Sequence, residues 1–299
     1  MLWKNGTKAA FAFGFDMDGA TIWRNKAIKL EGGDKFIKGV SIGDYGPEVG
    51  ARRILEILDE YNFKATWFVP AENIIKYSDF VGKLMEEGHE IAHHDYDHKG
   101  EYGNTFEEQI EFIEKCQDVF EKYLGVKAKG YRSTGAILKP ETEEWMYSDG
   151  EFEYISGGRA GESCGYVNVN GKQTKGVIVP CRDAMMDDYM QTVFNTYPQV
   201  LVGLPRIAPY INPYRNWIRE LEGMKEFGNA GSPAFHPQIS GTPGRAVMFD
   251  KLCKYLADNE KEIWVTTCLD IARYYNEKQE VRYCLAIELN GLKEKSARQ

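Results

Sequence analysis

The chain has 299 residues, 43% hydrophobic and 27% charged, with 37 Lys and Arg against 45 Asp and Glu and a net charge of −8. This composition is that of a soluble globular protein with length enough for a full α/β core, and its acidity excludes general binding to nucleic acid or to anionic membrane. No run of eighteen apolar residues is present, which excludes a membrane-spanning helix.

Taken in order, the chain alternates short apolar runs with amphipathic helices. The first twenty residues are too interrupted by polar and acidic groups for a signal peptide, and Lys8 to Phe15 reads as a buried strand ending at Asp16. Pro47 to Tyr61 opens with Pro at a helix start and carries Leu55, Leu58 and Tyr61 at helical spacing. Ala65 to Val69 reads as a strand stopped by Pro70. Asp79 to Glu87 reads as a helix with Ser78 as N-cap and Gly88 as its stop. His89 to His93 is the next strand. Thr105 and Glu108 form a capping box, followed by a helix that Gly125 ends. Lys127 to Arg132 is strand-like, and a short helix spans Pro140 to Tyr147. The runs Phe152 to Ile155 and Gly176 to Val179 flank a Gly-rich, irregular stretch. Phe235 lies on a further strand. A helix from Phe249 to Ala257, a strand from Ile263 to Thr267 and a helix from Leu269 to Tyr275 complete the pattern.

No internal repeat or low-complexity linker divides the chain, so one domain over 1–299 is expected. The repeated β–α–β units predict an α/β fold, a distorted, TIM-like (β/α) barrel with seven strands. None of the six cysteines (Cys116, Cys164, Cys181, Cys253, Cys268 and Cys284) belongs to a C-x-x-C pair. A zinc ribbon or thioredoxin site has no support, and a reduced, cytoplasmic protein is the simplest expectation.

Three polar clusters directly follow strand-like runs, the positions that converge on the active face of a barrel. In Phe15-Asp16-Met17-Asp18-Gly19 two carboxylates stand one residue apart, so alternation at a strand end brings both to one site. One can hold a metal while the other accepts a proton; a polar turn is the plainer alternative. Four of the five histidines fall within residues 89–98, and His94 and His98 stand four apart. A helical turn or tight loop sets their imidazoles on one side, a donor pair suited to Zn²⁺ and related metals. His89 and His93 read better as structural histidines. His236, held by Pro237 at the end of an apolar run, suits a general acid. Arg132, after another strand, can fork onto a carboxylate and keep Asp16 ionised. Three protein ligands with open positions describe a catalytic rather than a structural metal site.

These motifs resemble the polysaccharide deacetylase superfamily, carbohydrate esterase family 4, and more closely its branch of intracellular peptidoglycan-deacetylase-like and allantoinase-like proteins. The resemblance runs from about Lys8 to Tyr275, through FGFDMDG, DYGPEVGARRILEILDEYNFKATWFVP, GHEIAHHDYDH, GYRS and FHPQISGTPGR with WVTTCLDIA. It implies Asp16 as catalytic base, Asp18, His94 and His98 as ligands of a divalent metal, Zn²⁺ foremost, Arg132 as the brace of the base and His236 as catalytic acid. Two departures stand out. Thr134 occupies the place where the Arg motif normally continues with Pro, and the segment Gly157 to Gly176 is atypical.

The expectation is a metal-dependent hydrolase of non-peptide carbon–nitrogen bonds, foremost a deacetylase of an N-acetylated glycan. A hydrolase of small cyclic imides or ureides is the alternative, and a non-catalytic glycan-binding module the second. A phosphoesterase or sugar isomerase would want more carboxylate ligands or a second metal. The resemblance also implies a homo-oligomer, possible as a tetramer.

Overall fold

Strand-forming runs condense into short, mostly parallel segments. The computed structural model describes residues 2–27, 37–135, 137–157, 161–181, 186–192 and 211–278; Cys284 and positions 158–160 of the atypical segment lie outside them. The strands are β1 (Ala9–Ala12), β2 (Gly14–Asp16), β3 (Thr66–Val69), β4 (Glu90–His93), β5 (Gly130–Tyr131), β6 (Tyr154–Ser156), β7 (Gly165–Val169), β8 (Lys172–Val179), β9 (Ala230–Gly231), β10 (Ala234–Phe235) and β11 (Ile263–Thr266). They form an eight-stranded sheet in the order β10-β2-β3-β4-β5-β6-β8-β7 and a three-stranded sheet in the order β11-β1-β9.

The two sheets are continuous. β1 and β2 are halves of one run broken at Phe13, and β9 and β10 are halves of another. A parallel bridge between Cys181 and Ser232 ties the end of β8 to that second run, so the sheet curls back on its first strand. Among the described residues, with each broken run counted once, β1/β2, β3, β4, β5, β6, β8 and β9/β10 make seven staves, the number expected. β11 adds a further parallel strand beside β1. The expected distorted (β/α) barrel is present.

Period-two alternation sorts the strand residues into two cores. Phe11, Phe13, Phe15, Trp67, Val69, Ile91, Tyr131, Ile155 and Phe235 join the helix-facing core, against Leu58, Leu84, Phe120, Trp217 and Phe249. Ala10, Ala12, Phe68, Ala92, Tyr154, Val177 and Val179 fill the interior, where Cys268, Ile271 and Tyr275 of the helix Cys268–Lys278 also pack. Small interior residues set the barrel's width. A Cβ on Gly130 would stand 2.1 Å from the Tyr154 ring.

The capping box forms as expected: Thr105 Oγ1 accepts from the Glu108 N–H at 3.1 Å, and Glu108 Oε2 accepts from the Thr105 N–H at 3.0 Å. Gly125 ends the helix Phe106–Leu124 in the left-handed region at φ 73°. Elsewhere the elements depart from expectation. A helix Ile37–Tyr45 passes through a π turn, Gly46–Gly50, into the helix Ala51–Glu60, so Pro47 lies inside a longer helical run. Tyr77 rather than Ser78 is the N-cap of Ser78–Glu86, with no side-chain cap bond. The stretch read as irregular holds strand β7, antiparallel to β8. Asn170 and Gly171, at φ 49° and 77°, make the two-residue turn between them, the geometry that an Asn-Gly pair favours.

Candidate active site

Each expected site residue sits at or just beyond the C-terminal end of a strand, and the curl of the sheet brings them together. Asp16 ends β2, and Asp18 follows in a loop pinned on both sides. The Met17 N–H donates to the Phe68 carbonyl at 2.9 Å, and Asn73 Nδ2 donates to the Met17 carbonyl at 2.7 Å. Asp18 is wholly buried. Both of its carboxylate oxygens lack a hydrogen-bond partner, as does His94 Nε2.

His94 follows β4. Its Nδ1 lies 2.7 Å from the Arg132 carbonyl oxygen, which can only accept, so Nδ1 carries the proton and Nε2 presents a lone pair. That Nε2 lies 3.4 Å from Asp18 Oδ1 and 3.9 Å from Asp16 Oδ2. The chain then reverses through Asp95, in the left-handed region at φ 63°, and His98, at φ 59°. The reversal returns His98 Nε2 to 3.4 Å from Asp18 Oδ1. One donor atom from each of Asp18, His94 and His98 lies within 4.8 Å of the others. A buried carboxylate without donors and two imidazole Nε2 atoms facing it fit a divalent cation, whose charge would satisfy all three.

Arg132 follows β5 and reaches into the barrel. Nη1 donates to Asp16 Oδ1 at 2.6 Å, while Nη2 donates to Ser156 Oγ at 2.8 Å and to Ser232 Oγ at 3.0 Å. The guanidinium lies over the Phe68 ring, 3.8 Å from its centroid. A Cβ on Gly14 would stand 2.8 Å from Arg132 Nη2 and 2.7 Å from the Pro233 carbonyl oxygen, so glycine makes room for this arginine.

His236 follows β10 and faces Asp18 from the other side, with Nε2 at 3.8 Å from Asp18 Oδ2. Its Nδ1–H is held by Asp188 Oδ1 at 2.7 Å. Asp188 also accepts from the His236 N–H and from Ser240 Oγ. Sequence reasoning missed Asp188, Ser156 and Ser232. Each lies far along the chain from the residue it supports, in a stretch without a motif of its own.

The electrostatics are those of a tight charge cluster. Burial pushes the Asp18 carboxyl up, but His98, His94 and His236 outweigh it and hold the group at about 2. Burial disfavours the charged form of His94, yet Asp16 and Asp18 raise its pKa; for His98 burial prevails and lowers it. His236 is also disfavoured as a cation by burial, but the charge and bond of Asp188, then Asp187 and Asp18, lift it well above the ordinary histidine range. The same carboxylates thus favour the cationic form of His236.

His89 and His93 stand apart, as expected. His89 Nδ1 accepts the Ala65 N–H at 3.0 Å, and His93 Nδ1 accepts the Asp95 N–H at 3.3 Å. Asp59, Glu87 and His89 are close enough together to suggest a second ion site. A neutral His89 whose Nδ1 accepts must carry its proton on Nε2, however, and has no lone pair left for a metal.

The carboxylate–imidazole cluster lies at the C-terminal ends of the strands of a curled β/α barrel, where barrel enzymes carry their active sites. Residues 42–148 match the family model "Polysaccharide deacetylase". That match takes in His94, His98 and Arg132, while Asp16, Asp18 and His236 lie outside it. Over 276 residues, 85% of this chain and 92% of the relative, it is 23% identical to the peptidoglycan deacetylase of Helicobacter pylori. A Mycobacterium smegmatis structure assigned to the polysaccharide deacetylases superposes with a TM-score of 0.83 at 26% identity, covering 95% of this chain and 96% of the other. An allantoinase structure shares the fold, with a TM-score of 0.73 at 15% identity and 94% of each chain covered. No helix among the described residues is long and apolar enough to cross a membrane.

Proposed function

We propose that this chain is a metal-dependent deacetylase that hydrolyses the N-acetyl amide of a glycan. The observation that carries the reading is the buried meeting of three units. The Asp18–His94–His98 donor set has unsatisfied atoms, the Asp16 carboxylate is braced by Arg132, and His236 is backed by Asp188. The relatedness to deacetylases supports the same chemistry. The allantoinase likeness, at 15% identity, supports the fold alone.

Asp18, His94 and His98 would hold the cation, and two imidazoles with one carboxylate suit Zn²⁺. When bound, such an ion lowers the pKa of water and polarises the amide carbonyl. Asp16 takes the proton of the attacking water. Arg132 orients Asp16 through the bond from its Nη1 to Asp16 Oδ1, and its guanidinium stays charged throughout. His236 Nε2–H delivers a proton to the departing nitrogen as the C–N bond breaks, since an amine leaves poorly as an anion. Asp188 fixes the ring with Nε2 toward the site. The products are a carboxylate and an amine, with one water consumed. This reading also takes the chain as a cytoplasmic homo-oligomer; the buried free thiols of Cys116, Cys253 and Cys268 agree with a reducing setting.

The test is acetate release from N-acetylated chitooligosaccharides by protein reconstituted with zinc. Asp16→Asn should cut turnover by at least about a thousandfold while zinc stays bound, and His94→Ala should lose the zinc. Near-full turnover by Asp16→Asn removes Asp16 as the base. A wild-type chain that neither binds zinc nor releases acetate overturns the proposal.

A further inference from the structure

The turn that carries both histidines is fastened from outside. Asp95, at its pivot, is fully buried and left-handed in backbone. Its carbonyl accepts the Ala71 N–H at 3.0 Å, and the Tyr96 carbonyl accepts the Glu72 N–H at 2.9 Å. Its side chain is held by the loop after β5, where Thr134 Oγ1 donates to Asp95 Oδ2. The Arg132 strand end is therefore tied to the histidine strand at alternate residues. The Arg132 N–H donates to the His93 carbonyl at 3.0 Å, the Arg132 carbonyl accepts from His94 Nδ1 at 2.7 Å, and Thr134 grips Asp95.

We propose that the Thr134–Asp95 pair is a positioning clamp for the metal: Thr134 and Asp95 touch no ligand atom of the cation but fix the reversal that returns His98 to Asp18. The inference rests on the metal-site reading above and goes beyond it in assigning a role to a departure in the sequence. Position 134 is where the resembling pattern has proline, which has neither hydroxyl nor N–H and can make no such bond. A non-glycine residue in the left-handed region is held there by its surroundings, and Asp tolerates it better than most. Without the clamp the buried Asp95 side chain loses its hydroxyl donor and the turn relaxes. His98, one turn away and the more exposed of the two imidazoles, is the ligand that moves.

The experiment is a zinc titration of the full chain against a chromophoric chelator, with thermal unfolding of the metal-free protein as the control for fold. Thr134→Val keeps the shape and removes the hydroxyl. It should weaken zinc about tenfold, the scale of lost outer contacts at metal sites, while the metal-free protein keeps a cooperative thermal transition and acetate release recovers at saturating zinc. Thr134→Ser should restore wild-type affinity. Should Thr134→Val fail to fold, Thr134→Ala removes the same hydroxyl with less bulk, and about tenfold weaker zinc is expected. Zinc affinity within twofold of wild type in whichever variant folds overturns the clamp and leaves the metal site standing. A wild-type chain that takes up no zinc overturns the site itself.

Discussion

Asp16 and Arg132 are 116 residues apart and meet at 2.6 Å because glycine leaves room between them. The sequence presents both as residues after strands, but Gly14 reads there as an unremarkable strand glycine. In the structure a Cβ at position 14 would stand 2.4 Å from Ser232 Oγ and 2.7 Å from a backbone carbonyl oxygen, and the latter cannot swing away. Gly14→Ala should therefore push Arg132 off Asp16, lower turnover at least about tenfold and cost about 1–3 kcal/mol of stability. Steady-state kinetics with a denaturant melt check both. Wild-type values for both would mean that the strand shifts freely. His236 shows the same division. Its Pro-locked strand end is legible, whereas the Asp188 that holds its Nδ1 lies 48 residues away in a segment without a local signature.

At the scale of elements, local chemistry predicts well where it acts alone. Thr105, Glu108 and Gly125 bound their helix as written, since a capping box needs only four consecutive residues. The Asn170-Gly171 turn was equally local, and it is the signal that would have found β7. The helix Cys268–Lys278 is different. Its first turn is capped from across the molecule: Glu90 Oε2 accepts the Leu269 N–H at 3.0 Å and Thr66 Oγ1 at 2.7 Å, and Glu90 Oε1 accepts the Tyr154 hydroxyl at 2.7 Å. Glu90→Ala leaves buried donors without partners, each costing about 1–3 kcal/mol. It should destabilise the chain by at least about 2 kcal/mol and speed amide exchange in the first turn of Cys268–Lys278. Glu90→Gln, which can still accept, should lose less. Exchange unchanged in Glu90→Ala would show that the helix is held by packing alone.

The whole molecule couples these contacts to pH. His89 is pushed down to about 4, by burial first and by the charge of Lys64 second, from an unfolded value near ~6.5. The folded form resists protonation. Its contribution is therefore full above about pH 6.5 and is lost as pH falls through about 4, roughly 3 kcal/mol over the window. Unfolding of the metal-free protein at pH 7 and pH 4.5 should show this loss. His89→Gln, which keeps an acceptor for the Ala65 N–H, should flatten it, and an equal pH dependence in that variant would assign the loss to other groups.

The sequence by itself determined which residues are chemically able to act, because strand ends, an i, i+4 imidazole pair and an Asp-x-Asp are written over a few neighbouring positions. It also determined the β–α alternation, through periods of two and 3.6. Tertiary structure alone decided how wide the barrel interior is, which serines and which aspartate support Arg132 and His236, and that Thr134 grips Asp95. Those facts depend on the curl of the sheet and on side-chain volumes from staves far apart in the chain, and no local pattern encodes them.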